Sequence, residues 1–214
     1  MDNRQKILDR LKQAKKPFPA AELPGKLLPV APLAELDRKS LTSRFINEAQ
    51  ALTCAVQLLA DDKEAVQAVL TILAGQEQIL AWDFSHIPCA GLQEALHEAG
   101  IAVATQHEHL VRTGITGAAA ALAATGSLVL ESGPGRQRTT ALLPQNHIVI
   151  IRQDQIVANF EAWLAEQRQD ALAAFQQSAN INIISGPSRT ADIAMELILG
   201  MHGPAALHVI IIAP

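Results

Sequence analysis

The sequence predicts an α/β fold, a three-layer arrangement in which a sheet lies between helices on both of its faces. Short apolar runs bounded by Gly, Pro or polar turns alternate with longer segments of helical spacing, which is typical of strand–helix–strand units. The composition agrees with this order, because 49% of the 214 residues are hydrophobic and only 3% are aromatic. Ala, Leu, Ile and Val must therefore supply most of the core, as they do in helices packed on a buried sheet.

The N-terminal part is predicted to be an arm outside the sheet. Residues 1–15 have the spacing of an amphipathic helix, with Ile7, Leu8 and Leu11 on one side. A helix of this length is marginal in water, so we expect it to dock on its own domain or on a partner subunit. An extended segment follows to about residue 33, punctuated by Pro17, Pro19, Pro24, Gly25, Pro29 and Pro32. The predicted division is residues 1–40 for this helix and Pro-rich arm and residues 41–214 for the α/β domain.

The first half of the domain is predicted to contain two helices and then a strand–helix–strand unit with a right-handed crossover. These elements are helices 40–59 and 63–74, strand 78–82, helix 91–99 and strand 101–105. The second half is predicted to begin with an Ala-rich helix and to end with another strand–helix–strand unit. Its elements are helix 114–124, strands 128–130 and 147–151, one long or two broken helices within 156–176, strand 181–184, helix 191–199 and strand 207–212.

Charge and composition argue against several functions. The net charge is −4 and no block of Lys and Arg is interleaved with aromatic residues, so a nucleic-acid surface is not expected. The apolar runs are too short to span a bilayer, and the charged N-terminus lacks the core of a signal peptide, so we expect a cytoplasmic protein. Cys54 and Cys89 are isolated, and we expect both to be small buried hydrophobic residues without a disulfide. Two cysteines cannot supply the four thiolates of an ordinary iron–sulfur cluster.

A loop after strand 128–130 is the first candidate for an anion site. Ligands of open α/β sheets bind outside the carboxyl ends of the strands, and the loop from Glu131 to Thr140 is predicted to lie there. Gly133 and Gly135 allow the backbone to approach a ligand closely, and the guanidinium groups of Arg136 and Arg138 can bind a carboxylate or phosphate.

The second candidate loop has the sequence SGPSRTAD and follows strand 181–184. A helix starting near Ala191 would present free backbone N–H groups and a partial positive charge to an anion. Ser188 or Thr190 would cap that helix and Asp192 would stabilise its first turn, which leaves Arg189 without a capping role. We expect the arginines of both loops to converge over this helix start. The alternative is that both loops are only well-capped turns with solvated arginines.

Other motifs carry less functional information. His107, Glu108 and His109 lack a third assignable metal ligand, so a solvated loop is expected and no metal site is predicted. His202 lies in a tight turn, where it either orients a ligand or acts as acid or base, or satisfies backbone groups. His147 begins a strand and is expected to be structural. Phosphate-binding Walker A, dinucleotide-binding and serine-hydrolase signatures are absent from the sequence.

Two long segments resemble the lactate utilization protein C family, the bacterial proteins with a LUD domain. The segments are TGITGAAAALAATGSLVLESGPGRQRTTALLPQNHIVIIRQDQIV, residues 113–157, and NIISGPSRTADIAMELILGMHGPAALHVIII, residues 182–212. The likeness is weaker in the helical first half. The matching positions are Gly126, Ser127, Ser132–Gly135, Arg138, Pro144, His147, Ser185–Asp192 and His202–Pro204.

The resemblance implies a fold related to the sugar-phosphate isomerases and CoA transferases. It also implies a role beside two iron–sulfur proteins that together support oxidation of L-lactate to pyruvate. This chain would then be a subunit or accessory protein of an oxidoreductase complex, not catalytic alone, with no cofactor of its own and with the clusters on partner subunits. Assembly of this chain into a homo-oligomer is a further option that the resemblance leaves open. The predicted anion- or substrate-binding set is Gly126, Ser127, Gly133, Gly135, Arg136, Arg138, Ser185, Gly186, Ser188, Arg189, Thr190, Asp192 and His202.

One departure from the family pattern leaves the catalytic residues unassigned. Ala119 and Ala124 stand where relatives commonly have acidic residues, and the related isomerases and transferases rely on a carboxylate. If the missing Glu were a general acid or nucleophile, this chain would be inactive alone or would use another group. The alternative function is a stand-alone isomerase or acyl/CoA-transferase-like enzyme on an anionic substrate, with Glu131 as the nearest carboxylate in sequence.

Overall fold

A computed structural model describes residues 3–13, 30–34, 36–104, 111–191 and 197–214. The helices in these ranges are α1 (Asn3–Gln13), α2 (Arg38–Ala51), α3 (Asp62–Ile72), α4 (Leu92–Glu98), α5 (Arg138–Leu142), α6 (Phe160–Gln169) and α7 (Ala173–Gln177). The strands are β1 (Ala55–Leu59), β2 (Gln78–Ala81), β3 (Ala102–Val103), β4 (Thr113–Thr116), β5 (Ala120–Leu122), β6 (Ser127–Ser132), β7 (Asn146–Arg152), β8 (Ile156–Val157), β9 (Asn180–Ile184), β10 (Arg189–Ala191), β11 (Leu197–Leu199) and β12 (Ala206–Ile212).

The main sheet has the strand order β1-β12-β7-β4-β2-β3 in the described part of the chain, and every neighbouring pair is parallel. Its central strands are buried on both faces, because residues 148–151 of β7 and 209–212 of β12 are almost fully inaccessible. Continuous apolar runs of this kind are what parallel strands covered by helices require. The predicted α/β class is therefore confirmed.

A second sheet has the order β8-β5-β6-β9, in which β6 runs antiparallel to both β5 and β9. Helix α2 contacts β1 of the main sheet and β8 of the second sheet. Its side chains Phe45 and Ala49 belong to one hydrophobic core with Ile150 of β7 and Leu128 of β6. The two sheets and α2 therefore share this core, and a smaller cluster packs around Trp163 of α6.

The Ala-rich helix predicted over residues 114–124 is wrong, because this segment contains the strands β4 and β5. Both strands are completely buried, and Gly114 in β4 packs directly under the Thr140 carbonyl of α5, where a Cβ atom would collide with it. Close packing of a helix on a sheet needs small residues. Burial thus overrides the high helix propensity of Ala, which is a weak determinant by itself.

The helix predicted over residues 40–59 ends early, and its last part is strand β1. The Thr53 N–H donates to the Gln50 carbonyl and the Cys54 N–H to the Ala49 carbonyl, which is the hydrogen-bond pattern of a Schellman motif. Thr53 takes the left-handed position of this motif, with φ 68°. The sequence does not predict the end of this helix, because the left-handed position usually carries Gly and here carries Thr53.

The helix predicted over residues 191–199 is also wrong where the structure describes it. Residues Arg189–Ala191 and Leu197–Leu199 pair as the antiparallel strands β10 and β11, so their backbone groups bond across the pair. Residues 192–196 lie outside the described part. Apolar spacing over only nine residues does not distinguish a helix from paired strands.

The N-terminal helix is present as α1, and Ile7 and Leu8 on it are exposed. The Pro-rich segment predicted between Pro17 and Pro29 lies outside the described residues. Of the helices that the structure describes, none has both the length and the apolar content needed to cross a bilayer.

Candidate functional site

A cleft of about 240 Å³ lies at the amino-terminal ends of β7 and β12, where loops and the end of α5 meet. Most of its walls are apolar, and its polar groups are the imidazoles of His147 and His202 and the hydroxyls of Ser185 and Ser188. The lining residues are Ala141, Leu142, His147, Ile183, Ile184, Ser185, Gly186, Pro187, Ser188, His202, Gly203, Pro204 and Leu207.

The two candidate loops do not follow strands of the parallel sheet, because β6 and β9 belong to the second sheet, where they pair antiparallel with each other. The expectation of a site at the carboxyl ends of parallel strands therefore does not apply to them. The second loop lines the cleft together with the turn that contains His202, whereas the first loop packs elsewhere. Of the predicted set, the cleft brings together Ser185, Gly186, Ser188 and His202.

The first loop forms a tight turn from Gly133 to Arg136, closed by two backbone hydrogen bonds between these residues. Gly135 has φ +70°, which the third position of a type II turn after Pro requires. Its carbonyl accepts a hydrogen bond from the Asp83 N–H at 2.7 Å, and this contact fixes the turn to the segment after β2.

The charged groups of this loop are largely engaged within it. Arg136 Nη1 lies 3.1 Å from Glu131 Oε2, with exposed side-chain fractions of 23% for Arg136 and 12% for Glu131. Ser178 Oγ donates to the same carboxylate oxygen at 3.4 Å. Arg138 is exposed at the first position of α5. Glu131, the carboxylate of the alternative enzymatic function, is thus held in an ion pair.

Arg189 caps the carboxyl end of α2. Its Nη2 donates to the Leu52 carbonyl at 2.7 Å and contacts Thr53 Oγ1 at 2.6 Å. A cation at this position satisfies one of the last carbonyls of the helix and complements the negative end of its dipole. Gly186 packs on the same helix end, since a Cβ atom there would lie 2.8 Å from the Leu52 carbonyl oxygen. Arg189 and Gly186 therefore hold the second loop against the carboxyl end of α2.

These contacts give Arg136 and Arg189 different protein partners, and no helix starts at Ala191 to receive them in the described residues. Thr190 lies in β10 instead of capping a helix. Asp192 lies outside the described residues. Anion binding by the predicted set stays a prediction.

A chain of hydroxyl groups connects the cleft to the turn between β5 and β6. Ser185 Oγ lies 2.7 Å from Ser127 Oγ, which lies 2.8 Å from Thr125 Oγ1. Ser127 is almost completely buried, and Gly126 beside it packs on the backbone of α2 at Ala49. Of these hydroxyl groups, only that of Ser185 lines the cleft. Gly126 and Ser127 lie behind Ser185 and pack against the rest of the domain.

The two loop segments of the cleft are joined through their backbones. The Ser188 N–H donates to the Pro204 carbonyl at 2.8 Å, and the Gly200 N–H donates to the Ser188 carbonyl at 3.0 Å. His202 is exposed between these two attachment points. The turn around His202 is thus held against the second loop.

The sequence predicts only a structural role for His147, but the structure places this residue in the lining of the cleft. It is fully buried, its Nε2 lies 2.9 Å from Thr116 Oγ1, and its Nδ1 has no hydrogen-bond partner among the described residues. Burial lowers the pKa of His147 to about 3, so the imidazole is neutral at physiological pH. The available signal was a histidine inside an otherwise apolar run, which places a polar group in a predicted parallel strand.

In the part of the chain that the structure describes, no group of three or more His, Cys, Asp or Glu side chains is arranged for a metal ion. His107, Glu108 and His109 lie outside that part. Cys54 and Cys89 are buried free thiols, as expected, and burial raises the pKa of each thiol to about 11.

The parallel sheet, the second sheet joined to it through α2, and the cleft beside them define an α/β protein with a candidate site built from loops. The LUD domain family matches residues 42–212, which include all of the cleft. The chain belongs to the LUD domain family. The resemblance found in the sequence is thereby confirmed.

Individual relatives agree with this membership. Proteins named lactate utilization protein C are 35% identical over 144 residues in Halalkalibacterium halodurans and 33% identical over 138 residues in Macrococcus caseolyticus. The matches cover 67% and 61% of this chain but only 56% and 59% of those relatives. An uncharacterized Escherichia coli protein, YkgG, is 29% identical over 99% of both chains.

A solved structure shares the fold. The crystal structure of a DUF162 family protein from Deinococcus radiodurans superposes with a TM-score of 0.61 at 22% identity, over 83% of this chain and 99% of that one. At this identity the likeness concerns the fold alone.

Proposed function

We propose that this protein is a subunit or accessory protein of a bacterial system that oxidises L-lactate to pyruvate. Membership of the LUD domain family and the similarity to proteins named lactate utilization protein C support this role. The electron-carrying clusters lie on iron–sulfur partner subunits in this proposal, because two isolated cysteines cannot hold an ordinary cluster.

The cleft is the proposed binding site for a small anionic ligand of this system. The observation that carries this step is that backbone hydrogen bonds hold the loop of Ser188 and the turn of His202, both at family-matching positions, together around one cleft. The exposed His202 imidazole and the hydroxyls of Ser185 and Ser188 provide donors for an anion.

Growth of a deletion strain tests the role. Deleting the gene should abolish growth on L-lactate and leave growth on pyruvate unchanged, and the wild-type gene should restore it. His202→Ala in the cleft should restore growth poorly, whereas His97→Ala, which removes an exposed histidine of α4, should restore it fully. A deletion strain that grows normally on L-lactate would exclude the proposed role.

An assay of the purified protein tests whether this chain needs the iron–sulfur subunits to oxidise L-lactate. Alone, the chain should not oxidise L-lactate with an artificial electron acceptor, and turnover should require the iron–sulfur subunits. Robust turnover by the isolated chain would contradict a subunit role and favour a stand-alone enzyme.

A further inference from the structure

We propose that the cleft takes a short-chain monocarboxylate bearing a neutral hydroxyl or carbonyl group, with the carboxylate at the rim beside His202 and the neutral group at the inner end beside His147. This inference rests on the proposed function and names the class of ligand for the same site.

The strand register places the His147 ring at the inner end of the cleft. Gly114, His147 and Leu207 are direct neighbours across β4, β7 and β12, so their side-chain positions lie on the same face of the sheet. On this face Gly114 meets the Thr140 carbonyl of α5, and Leu207 lines the cleft. His147 therefore lies between them, beneath the end of α5.

The His147 ring has one hydrogen-bonding position left to offer. Its Nε2 is engaged by the Thr116 hydroxyl, and Nδ1 is buried without a partner in the described residues. A buried polar atom without a partner is costly, and a ligand group is one way to satisfy it. Nδ1 is covered in this structure, so a bound ligand would reach it only after a local shift of the cleft loops.

The chemistry at this end favours a neutral group. An imidazole that stays uncharged offers one donor and one acceptor, and it has no net charge with which to compensate a carboxylate. A hydroxyl group matches either tautomer, and a carbonyl group accepts from the tautomer that carries its proton on Nδ1. The burial that lowers the pKa of His147 also makes it costly to bring a second uncompensated charge beside the ring.

The residues at the rim and in the walls of the cleft determine which charge, apolar part and size the ligand can have. Ser185, Ser188 and the exposed His202 can donate to one carboxylate, but the described lining contains no Lys or Arg to balance a doubly charged phosphate. Leu142, Pro187 and other apolar residues face the remaining part of the ligand. The cleft volume of about 240 Å³ is small for a ligand site, which suits a short acid.

The test compares 2-hydroxybutyrate with butyrate, two acids that differ only in the hydroxyl group. Calorimetric titration of the full chain should show tighter binding of 2-hydroxybutyrate by about tenfold, as one buried hydrogen bond provides. His147→Leu should remove this preference and leave butyrate affinity nearly unchanged. His202→Gln should weaken both acids alike. His208→Leu is the matched control, because its side chain points to the opposite face of β12 from Leu207 and should keep the preference.

Several results would overturn the ligand class. These are equal affinities for the two acids in the wild type, a preference that survives His147→Leu, or no binding of either acid up to about 50 mM. If His147→Leu does not fold by circular dichroism, His147→Gln replaces it and should retain part of the preference. Failure of these titrations together with a clear lactate-growth defect would remove the ligand class alone and leave the proposed function intact.

Discussion

Replacing Arg189 with Ala separates a helix cap from an anion-binding residue. In the structure its guanidinium holds the Leu52 carbonyl and Thr53 hydroxyl at the end of α2. Hydrogen bonds from a charged donor are worth about 1.5–3 kcal/mol when buried, and exposure of this side chain reduces that figure. We therefore expect Arg189→Ala to lower the free energy of unfolding by about 1–2 kcal/mol, or the Tm by roughly 3–6 °C.

The measurement is urea unfolding followed by circular dichroism, with Arg138→Ala as the matched control. Arg138 is an exposed arginine at the first position of α5, where a cation does not complement the helix dipole, so its removal should change stability by less than about 0.5 kcal/mol. Arg189→Lys keeps the charge with a single donor group and should recover part of the loss. Unchanged stability of Arg189→Ala together with lost ligand binding would refute the capping role.

Three further changes test other parts of the structure. Gly114→Ala should destabilise the fold by about 1–3 kcal/mol in urea unfolding, because the added Cβ collides with the Thr140 carbonyl, and an unchanged midpoint would contradict the close packing of α5 on β4. Burial lowers the pKa of His147 from its usual 6.5 to about 3, so the unfolded chain takes up this proton first and stability should fall as the pH drops from about 6.5 towards 3. His147→Leu should flatten this decline by up to about 1.4 kcal/mol per pH unit, and an unaltered slope would contradict a neutral buried imidazole. Glu131→Gln leaves the Arg136 charge without its partner and should cost about 1–3 kcal/mol, which Arg136→Met in the same chain should largely restore in a double-mutant cycle.

Elements with an unambiguous local pattern were predictable from the sequence. The strands β7 and β12 each contain a continuous run of β-branched residues, at 148–151 and 209–212, and α4 ends just before Gly100 as predicted. The segment from Gly114 to Leu122 was not predictable, because its Ala residues favour a helix and only the packing of α5 makes small residues necessary in strands. The assignment of β9 to the second sheet was equally hidden, because the sequence of a short strand does not identify the strand with which it pairs.

The site was predictable only in part. Ser185, Ser188 and His202 come together because two backbone hydrogen bonds join their loops, and both loops were recognisable from their turn residues. The role of Arg189 at the end of α2 depends on a contact across 137 positions of the chain, which local patterns do not contain. The sequence around His147 shows a polar group in a buried strand but not the cleft above it, so it predicts only a structural role.

The position of β12 bears on how the chain reaches its native state. This strand follows all the other strands in the sequence, yet it lies inside the parallel sheet between β1 and β7. During synthesis β1 and β7 cannot complete the sheet, because β12, which pairs with both of them, has not yet left the ribosome. Such late, non-local closure makes folding slow and leaves apolar edges accessible to aggregation or to chaperones in the meantime.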